Sequence, residues 1–129
     1  EDSKNELDFL VENAESLLEL LGIPYRRRLL GAADLGFSSS ATYDLEIPMP
    51  SDGSWMEISS VSICDDFQSR RAGVFYKDKN KNFHPCLLNG TGLAIGRLIA
   101  AILEHFWNGK AVILPEVLQE KFKKEELGL

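Results

Sequence analysis

The sequence has 129 residues, 44% of them hydrophobic and 26% charged, and a formal net charge of −6. This composition is typical of one folded domain and excludes a disordered chain. The acidic balance excludes binding of nucleic acid over a broad surface, because such binding needs a basic face. The small basic clusters at Arg26–Arg28 and Arg70–Arg71 are interpreted mainly as solvated surface charge. No apolar run is long enough to cross a bilayer.

The first predicted element is an amphipathic helix over residues 5–21. Apolar residues recur there at the spacing that lines one face of a helix: Leu7, Leu10, Val11, Ala14, Leu17, Leu18 and Leu21. Gly22 and Pro24 supply the signal that ends it. No side chain on this helix suggests chemistry, so we interpret the helix as structural.

Three strands are predicted after this helix, at residues 25–31, 41–47 and 55–64. Polar and apolar side chains alternate in the second and the third, as expected for strands with one buried face. In the third strand, alternation predicts two sets of side chains on opposite faces: Met56, Ile58 and Ser60 against Glu57, Ser59 and Val61.

The rest of the chain predicts short elements and then two helices. Residues 65–71 indicate a short helix or a turn, and strands are expected at 74–76 and 83–88. A helix is expected at 91–107, and its apolar stripe should pack across the sheet through Ile95, Leu98, Ile99, Ile102 and Phe106. A polar helix is expected from Pro115 to about Glu126.

This order of elements predicts an α+β fold. Short connections between neighbouring strands favour an antiparallel β-sheet of about four to six strands, flanked by helices. No repeat or linker divides the chain, so residues 1–129 are expected to form a single domain.

A glycine-rich turn precedes the predicted helix at 91–107. Gly90, Gly92 and Gly96 allow a ligand or another element to approach the backbone closely, and Arg97 offers a planar set of donors for phosphate. The spacing does not match the dinucleotide-binding fingerprint. From these residues alone, a nucleotide site and tight helix–sheet packing are equally good interpretations.

A second group of candidate residues lies on the strand at 55–64. The Glu57 carboxylate and the Ser60 hydroxyl are hard oxygen ligands suited to a magnesium ion held by phosphates. The competing interpretation is an exposed glutamate on the solvent side of a half-buried sheet, and for Glu57 taken alone that interpretation is better.

Taken together, six segments resemble the C-terminal part of the catalytic domain of seryl-tRNA synthetases, which are class II aminoacyl-tRNA synthetases. They read AADLGF, SATYDLE, MEISS, DDFQSRR, LNGTGLAIGR and ILPEVL, in the order and spacing of that family. The resemblance covers about residues 7–120, and residues 89–97 correspond to motif 3 of class II enzymes. The chain departs from the family pattern at Ala33, where glycine is usual, and at Ala41, where lysine is usual.

The resemblance implies ATP and Mg²⁺ as cofactors and a role for each matching residue. Residues Glu57, Ile58, Ser59 and Ser60 would line the ATP site, with Glu57 and Ser60 near the magnesium ion. Thr91 would contact the substrate serine, supported by Asn89. Arg97 would be the catalytic arginine and would bind the nucleotide. In this family, serine and ATP give seryl-adenylate and pyrophosphate, and the seryl group then passes to tRNA.

The resemblance also implies what lies outside this chain. The family's motifs 1 and 2 and its tRNA-binding arm precede the matching region, so tRNA(Ser) would bind through missing upstream regions. A partner chain or a homodimer is expected in the full-length protein, and the isolated chain is expected to be inactive. The cytoplasm is the expected location, with a mitochondrion or another organelle as the alternative.

Two other functions are compatible with the sequence. The first is a non-catalytic, synthetase-like binding, scaffold or regulatory module, which the substitution at Ala41 slightly favours. The second is a nucleotide-binding enzyme of another class, which is weakly supported because no general base, nucleophile pair or metal cluster stands out. His84 and His105 are isolated histidines and are interpreted as structural.

Overall fold

The structure is a computed structural model, and it describes residues 2–128. Four helices and eight strands alternate irregularly along this part of the chain: α1 Asp2–Leu20, β1 Arg26–Leu29, β2 Ala41–Pro48, β3 Trp55–Ile63, α2 Phe67–Ala72, β4 Tyr76–Asp78, β5 Lys81–Phe83, β6 Leu88–Gly90, α3 Ile95–His105, β7 Ala111–Ile113, α4 Glu116–Phe122 and β8 Glu126–Gly128. The predicted α+β fold is confirmed. The ends of the predicted domain, residues 1 and 129, lie outside the described residues.

The centre of the fold is a four-stranded antiparallel sheet in the order β1-β2-β3-β6. Helix α1 covers one face of this sheet, and its apolar stripe packs on side chains of β2 and β3: Leu7, Val11, Ala14 and Leu18 against Leu45, Ile47, Ile58 and Val61. Full burial of a side chain such as Leu18 or Ile58 contributes roughly 1.5–3 kcal/mol. Gly22 follows α1 with a φ of 66°, a left-handed conformation that glycine adopts without strain.

The segment between β3 and β6 differs from the prediction. The strands expected at 74–76 and 83–88 are wrong in extent, because β4 and β5 form a separate hairpin nearer its tip. Its turn residues Lys79 and Asn80 have φ values of 43° and 70°, and positive φ at both central positions is the geometry that suits a tight hairpin. Residues before Leu88 do not join the central sheet as a strand, and only β6 does.

Helix α3 begins at Ile95, four residues later than predicted, and its stripe does not pack as a unit. Leu98, Ile102 and Phe106 pack against the core, but Ile95 and Ile99 are 74% and 54% exposed. The residue buried completely is Ala101. A small side chain at that point lets the helix approach the sheet closely, which rotates the first turn of the stripe away from it.

The end of the chain also differs from the prediction. Helix α4 stops at Phe122, because Lys123 adopts a left-handed conformation with a φ of 52°. The chain then returns as β8, which pairs with β7 in a two-stranded antiparallel sheet. Neither strand was predicted, since three residues are too few to display an alternating pattern.

Candidate functional site

The face of the central sheet opposite α1 carries polar side chains. The neighbouring strands β2 and β3 place Thr42 opposite Ser62 and Asp44 opposite Ser60, and directly opposed residues point to the same face. The hydroxyls of Thr42 and Ser62 share a hydrogen bond of 2.7 Å. A cavity of about 370 Å³ lies over this face, and we call it the polar cavity. Its lining is Arg28, Leu30, Asp34, Gly36, Ser39, Thr42, Asp44, Glu57, Ser60 and Ser62.

A β-bulge brings Glu57 and Ser60 to the same cavity. Ser59 pairs with Leu45 and Glu57 pairs with Glu46, which leaves Ile58 as an extra residue without a partner in β2. Residues three apart in a regular strand face opposite sides, and one extra residue reverses this relationship. The predicted assignment of faces in this strand is therefore wrong. The carboxylate and the hydroxyl that could hold magnesium line one cavity, whereas Ile58 is buried in the core.

Arg97 is held on the strand that carries Glu57. Its Nη1 atom donates to the Glu57 backbone carbonyl at 2.9 Å and to the Glu57 Oε1 atom at 3.1 Å. Both side chains remain about half exposed, at 49% and 46%. The remaining donors of a planar guanidinium are therefore free to point towards a bound anion.

Three further hydrogen bonds join the turn before α3 to the same stretch of β3. The Thr91 N–H donates to the Ser60 carbonyl at 3.0 Å, and the Ala94 N–H donates to the Ile58 carbonyl at 2.8 Å. The Ser59 hydroxyl donates to the Thr91 carbonyl at 2.6 Å. Residues 57–60 and 91–97 therefore form one rigid unit, although more than thirty residues separate them in sequence.

Among the predicted ATP-site residues, two present side chains to the polar cavity and two do not. Glu57 and Ser60 line it. Ile58 is fully buried, and Ser59 is 1% exposed with its hydroxyl committed to Thr91. Ile58 and Ser59 therefore reach a nucleotide only through their backbone, and their side chains support the site from behind.

The predicted serine-binding residues lie beyond the polar cavity, towards the β6 edge of the sheet. Asn89 pairs with Ser62 and so shares the polar face, and it is exposed. Thr91 is exposed and borders a second cavity, between β6 and α1, with Leu10, Asn13 and Gly90 among its neighbours. The N-cap of α3 is Ala94, so Thr91 does not cap that helix.

Two arginines predicted to be solvated surface charges organise the polar face instead. Arg26 contacts Glu46 at 2.6 Å. Arg28 contacts Asp34 at 2.9 Å and Glu46 at 3.4 Å. The intervening Arg27 points to the other face and pairs with Glu15 of α1 at 2.6 Å. Alternation along β1 thus divides the cluster between the two sides of the sheet.

Asp44 is a cavity residue that we did not single out from the sequence. It is 7% exposed, and its Oδ1 atom is buried without a hydrogen-bond donor among the described residues. The available signal was the position of an aspartate inside a strand that is otherwise buried. Buried carboxylates are rare unless they are paired, so such a residue is a candidate for ligand binding.

The donors present fit a magnesium ion that is held mainly by phosphates. Mg²⁺ in nucleotide sites usually takes one or two protein oxygen ligands and fills its other positions with phosphate and water oxygens. Glu57 and Ser60 provide such a pair on one face. The described residues contain no group of three or more His, Cys, Asp or Glu side chains able to hold a metal ion by themselves.

Comparison with known proteins identifies the family. Residues 1–106 match the model of the tRNA synthetase class II core domain of the G, H, P, S and T enzymes. The chain belongs to the class II tRNA synthetase core family. Its polar cavity lies on the open face of the antiparallel sheet of this class II core, and helix α1 covers the opposite face.

The most similar relatives that we compared are serine–tRNA ligases. The class II core described here is 46% identical over 127 residues to the serine–tRNA ligase of Mycoplasma capricolum, which covers 98% of this chain and 30% of the relative. It is 48% identical over 122 residues to the serine–tRNA ligase of Desulfatibacillum aliphaticivorans, covering 92% of this chain and 29% of the relative. The chain thus spans about 30% of the length of the curated relatives it matches.

Solved structures agree with these relatives. The seryl-tRNA synthetase of Pyrococcus horikoshii complexed with ATP superposes with a TM-score of 0.93 at 34% identity, covering 98% of this chain and 29% of that one. The cytoplasmic serine–tRNA ligase of Naegleria fowleri in complex with AMP gives a TM-score of 0.91 at 29% identity, covering 98% and 30%. The predicted resemblance to seryl-tRNA synthetases is confirmed, and nothing in these relatives favours the non-catalytic module. Within the described residues, no helix is both long enough and apolar enough to cross a membrane.

Proposed function

We propose that this class II core provides one part of the ATP- and serine-binding site of a serine–tRNA ligase. The complete enzyme would join serine to ATP as seryl-adenylate, release pyrophosphate, and transfer the seryl group to tRNA. The observation that carries this proposal is the contact of Arg97 with Glu57, beside Ser60, at the mouth of the polar cavity. A cation, a carboxylate and a hydroxyl at one point suit a nucleotide triphosphate with its metal ion.

In this proposal Arg97 acts on the nucleotide. Its guanidinium, fixed by Glu57, offers its remaining donors to a phosphate and its flat face to the base. Glu57 and Ser60 would hold a magnesium ion, which supplies positive charge where negative charge grows on the phosphates. Because these groups are held in place before the substrate arrives, they stabilise the transition state without reorganising.

Serine would bind next to this nucleotide site, near the β6 edge. Thr91 and Asn89 carry the hydroxyl and amide groups that could pair with a substrate hydroxyl. A site that pairs with this hydroxyl rejects alanine strongly, since alanine leaves the buried polar groups without a partner. The tRNA would bind through regions of the longer enzyme, which would work as a homodimer or with a partner chain, and we place it in the cytoplasm.

A chimera tests this proposal directly. The matching segment of the Mycoplasma capricolum ligase would be replaced by residues 1–129 of this chain, and serine-dependent exchange of pyrophosphate into ATP would be measured. We expect exchange with serine and ATP, and none when serine is replaced by alanine. A folded chimera without exchange, beside an active parent enzyme, would contradict the proposal.

A further inference from the structure

Asp44 lies in the middle of the polar face with an unmet requirement. It is in β2, between Arg28 of β1 and Ser60 of β3 in the register of the sheet. Its side chain lines the polar cavity and is more than nine-tenths buried, and Oδ1 accepts no hydrogen bond from any residue between 2 and 128. A buried carboxylate oxygen without a donor is costly, and it demands a partner from outside this part of the protein.

The charges around the cavity make Asp44 distinct from its other carboxylates. Asp34 is paired with Arg28 at 2.9 Å, and Glu57 is paired with Arg97 at 3.1 Å. Arg28 is the nearest cation across the strand, but its guanidinium turns to Asp34 and Glu46. Within the described residues, Asp44 is therefore the cavity carboxylate that no basic side chain neutralises, and the group that meets it should be a cationic donor.

We propose that Asp44 accepts a hydrogen bond from the α-ammonium group of the amino-acid substrate. This inference rests on the proposed function, in which the two small substrates are ATP and serine. ATP is an anion, and its phosphates are assigned to Arg97 and to the ion at Glu57 and Ser60. Among the charged groups of the two substrates, the ammonium group of serine is the cation.

The geometry of the sheet supports this assignment. Opposed residues in neighbouring antiparallel strands have Cβ atoms about 4.5–5.5 Å apart, so Asp44 is adjacent to Ser60 on the same face. In an amino acid, the nitrogen and the carboxyl carbon are bonded to one Cα and lie about 2.5 Å apart. If the carboxylate meets the nucleotide near Ser60, the ammonium group falls within hydrogen-bond reach of Asp44. Asp44 would then also orient the carboxylate for attack on the α-phosphate.

The test combines a change in the protein with a change in the ligand. The first probe is a non-hydrolysable seryl-sulfamoyl adenosine, and the second is its 3-hydroxypropanoyl counterpart, which lacks only the amino group. Dissociation constants would be measured by titration calorimetry for the chimera with native Asp44 and for its Asp44→Asn variant. We expect the native protein to favour the amino ligand by about tenfold or more, the scale of a hydrogen bond to a charged group.

In Asp44→Asn this preference should fall to within about threefold, while the affinity for the ligand without the amino group stays nearly constant. Asp34→Asn is the matched control, because it removes one carboxylate from the same cavity and should keep the preference. If Asp44→Asn does not fold, Asp44→Ser is measured in the same way, with the same expectation.

Equal weakening of both ligands in the Asp44 variants would overturn the inference, since Asp44 would then support the fold or contact another group. A native protein that does not distinguish the two ligands would overturn it as well. If neither ligand binds to the native chimera, the proposed function fails and this inference fails with it. That result differs visibly from the loss of ligand preference alone.

Discussion

The Nη1 atom of Arg97 contacts Glu57 twice, through the backbone carbonyl at 2.9 Å and through the carboxylate at 3.1 Å. This pair fixes the first turn of α3 on β3. It also positions the cation and the carboxylate that the proposed mechanism assigns to the nucleotide and its metal ion.

Replacing Arg97 by lysine should separate catalysis from stability. Lysine keeps the charge but loses the planar donor set, so in the chimera we expect serine-dependent exchange to fall by at least about 100-fold, the scale seen when one preorganised donor is removed. The melting temperature should change little, because an exposed ion pair contributes at most about 1 kcal/mol. Arg70→Lys is the control, since Arg70 pairs only with Asp66 four residues away. Exchange that survives Arg97→Lys unchanged would remove Arg97 from the mechanism.

Replacing Thr91 by valine keeps the shape of the side chain and removes its hydroxyl. In the chimera we expect the KM for serine to rise by an amount equivalent to about 1–3 kcal/mol, while the KM for ATP stays constant. The melting temperature should also stay constant, because Ala94 and not Thr91 is the N-cap of α3. A lower melting temperature with unchanged serine kinetics would show that Thr91 is structural.

Ser59 should act on stability first. Its buried hydroxyl donates to the Thr91 carbonyl at 2.6 Å, so Ser59→Ala leaves that carbonyl without this donor and should lower the free energy of unfolding by about 1–3 kcal/mol. Urea denaturation of the 129-residue chain measures this. The control is Ser62→Ala, whose hydroxyl faces the polar cavity and shares its hydrogen bond with Thr42. A loss no larger for Ser59 than for Ser62 would contradict the supporting role of Ser59.

Tyr25 makes the stability depend on alkaline pH. Burial raises the pKa of Tyr25 to about 12, and its hydrogen bond to Glu19 adds to the shift. Because the folded pKa lies above the ordinary value of 10, this contribution is complete below pH 10 and is lost as the pH rises towards 12. Melting curves between these pH values should show a smaller alkaline loss for Tyr25→Phe than for the native chain. Identical pH profiles would show that Tyr25 titrates normally.

The 129-residue chain by itself should be inactive in pyrophosphate exchange. It covers about 30% of the length of the relatives, and the phosphate-binding arginines expected upstream would be missing from the site. Their electrostatic contribution amounts to several kcal/mol of the barrier. The measurement is exchange by purified chain, with the chimera as the positive control. Robust serine-dependent exchange by the chain alone would show that its own residues suffice.

The sequence predicts the central elements well because their patterns are long. Helix α1 shows several turns of apolar stripe, and β2 and β3 alternate over eight and nine residues. Three-residue strands such as β4 and β7 carry too little pattern. The bulge at Ile58 left one visible trace, since Ile58 and Val61 are both buried although they are three residues apart in a strand. The unpartnered oxygen of Asp44 depends on where neighbouring arginines point, which only the folded structure reveals.

The extra residue at Ile58 means that the proposed site depends on counting as well as on chemistry. If one residue were deleted there, every side chain from Trp55 to Glu57 would turn over relative to the rest of the strand. The carboxylate would then enter the oily interior beneath α1, and the guanidinium that grips it would lose its anchor. Evolution can exchange many side chains around such a site, but the number of residues between Glu57 and Ser60 is constrained as strictly as their identities.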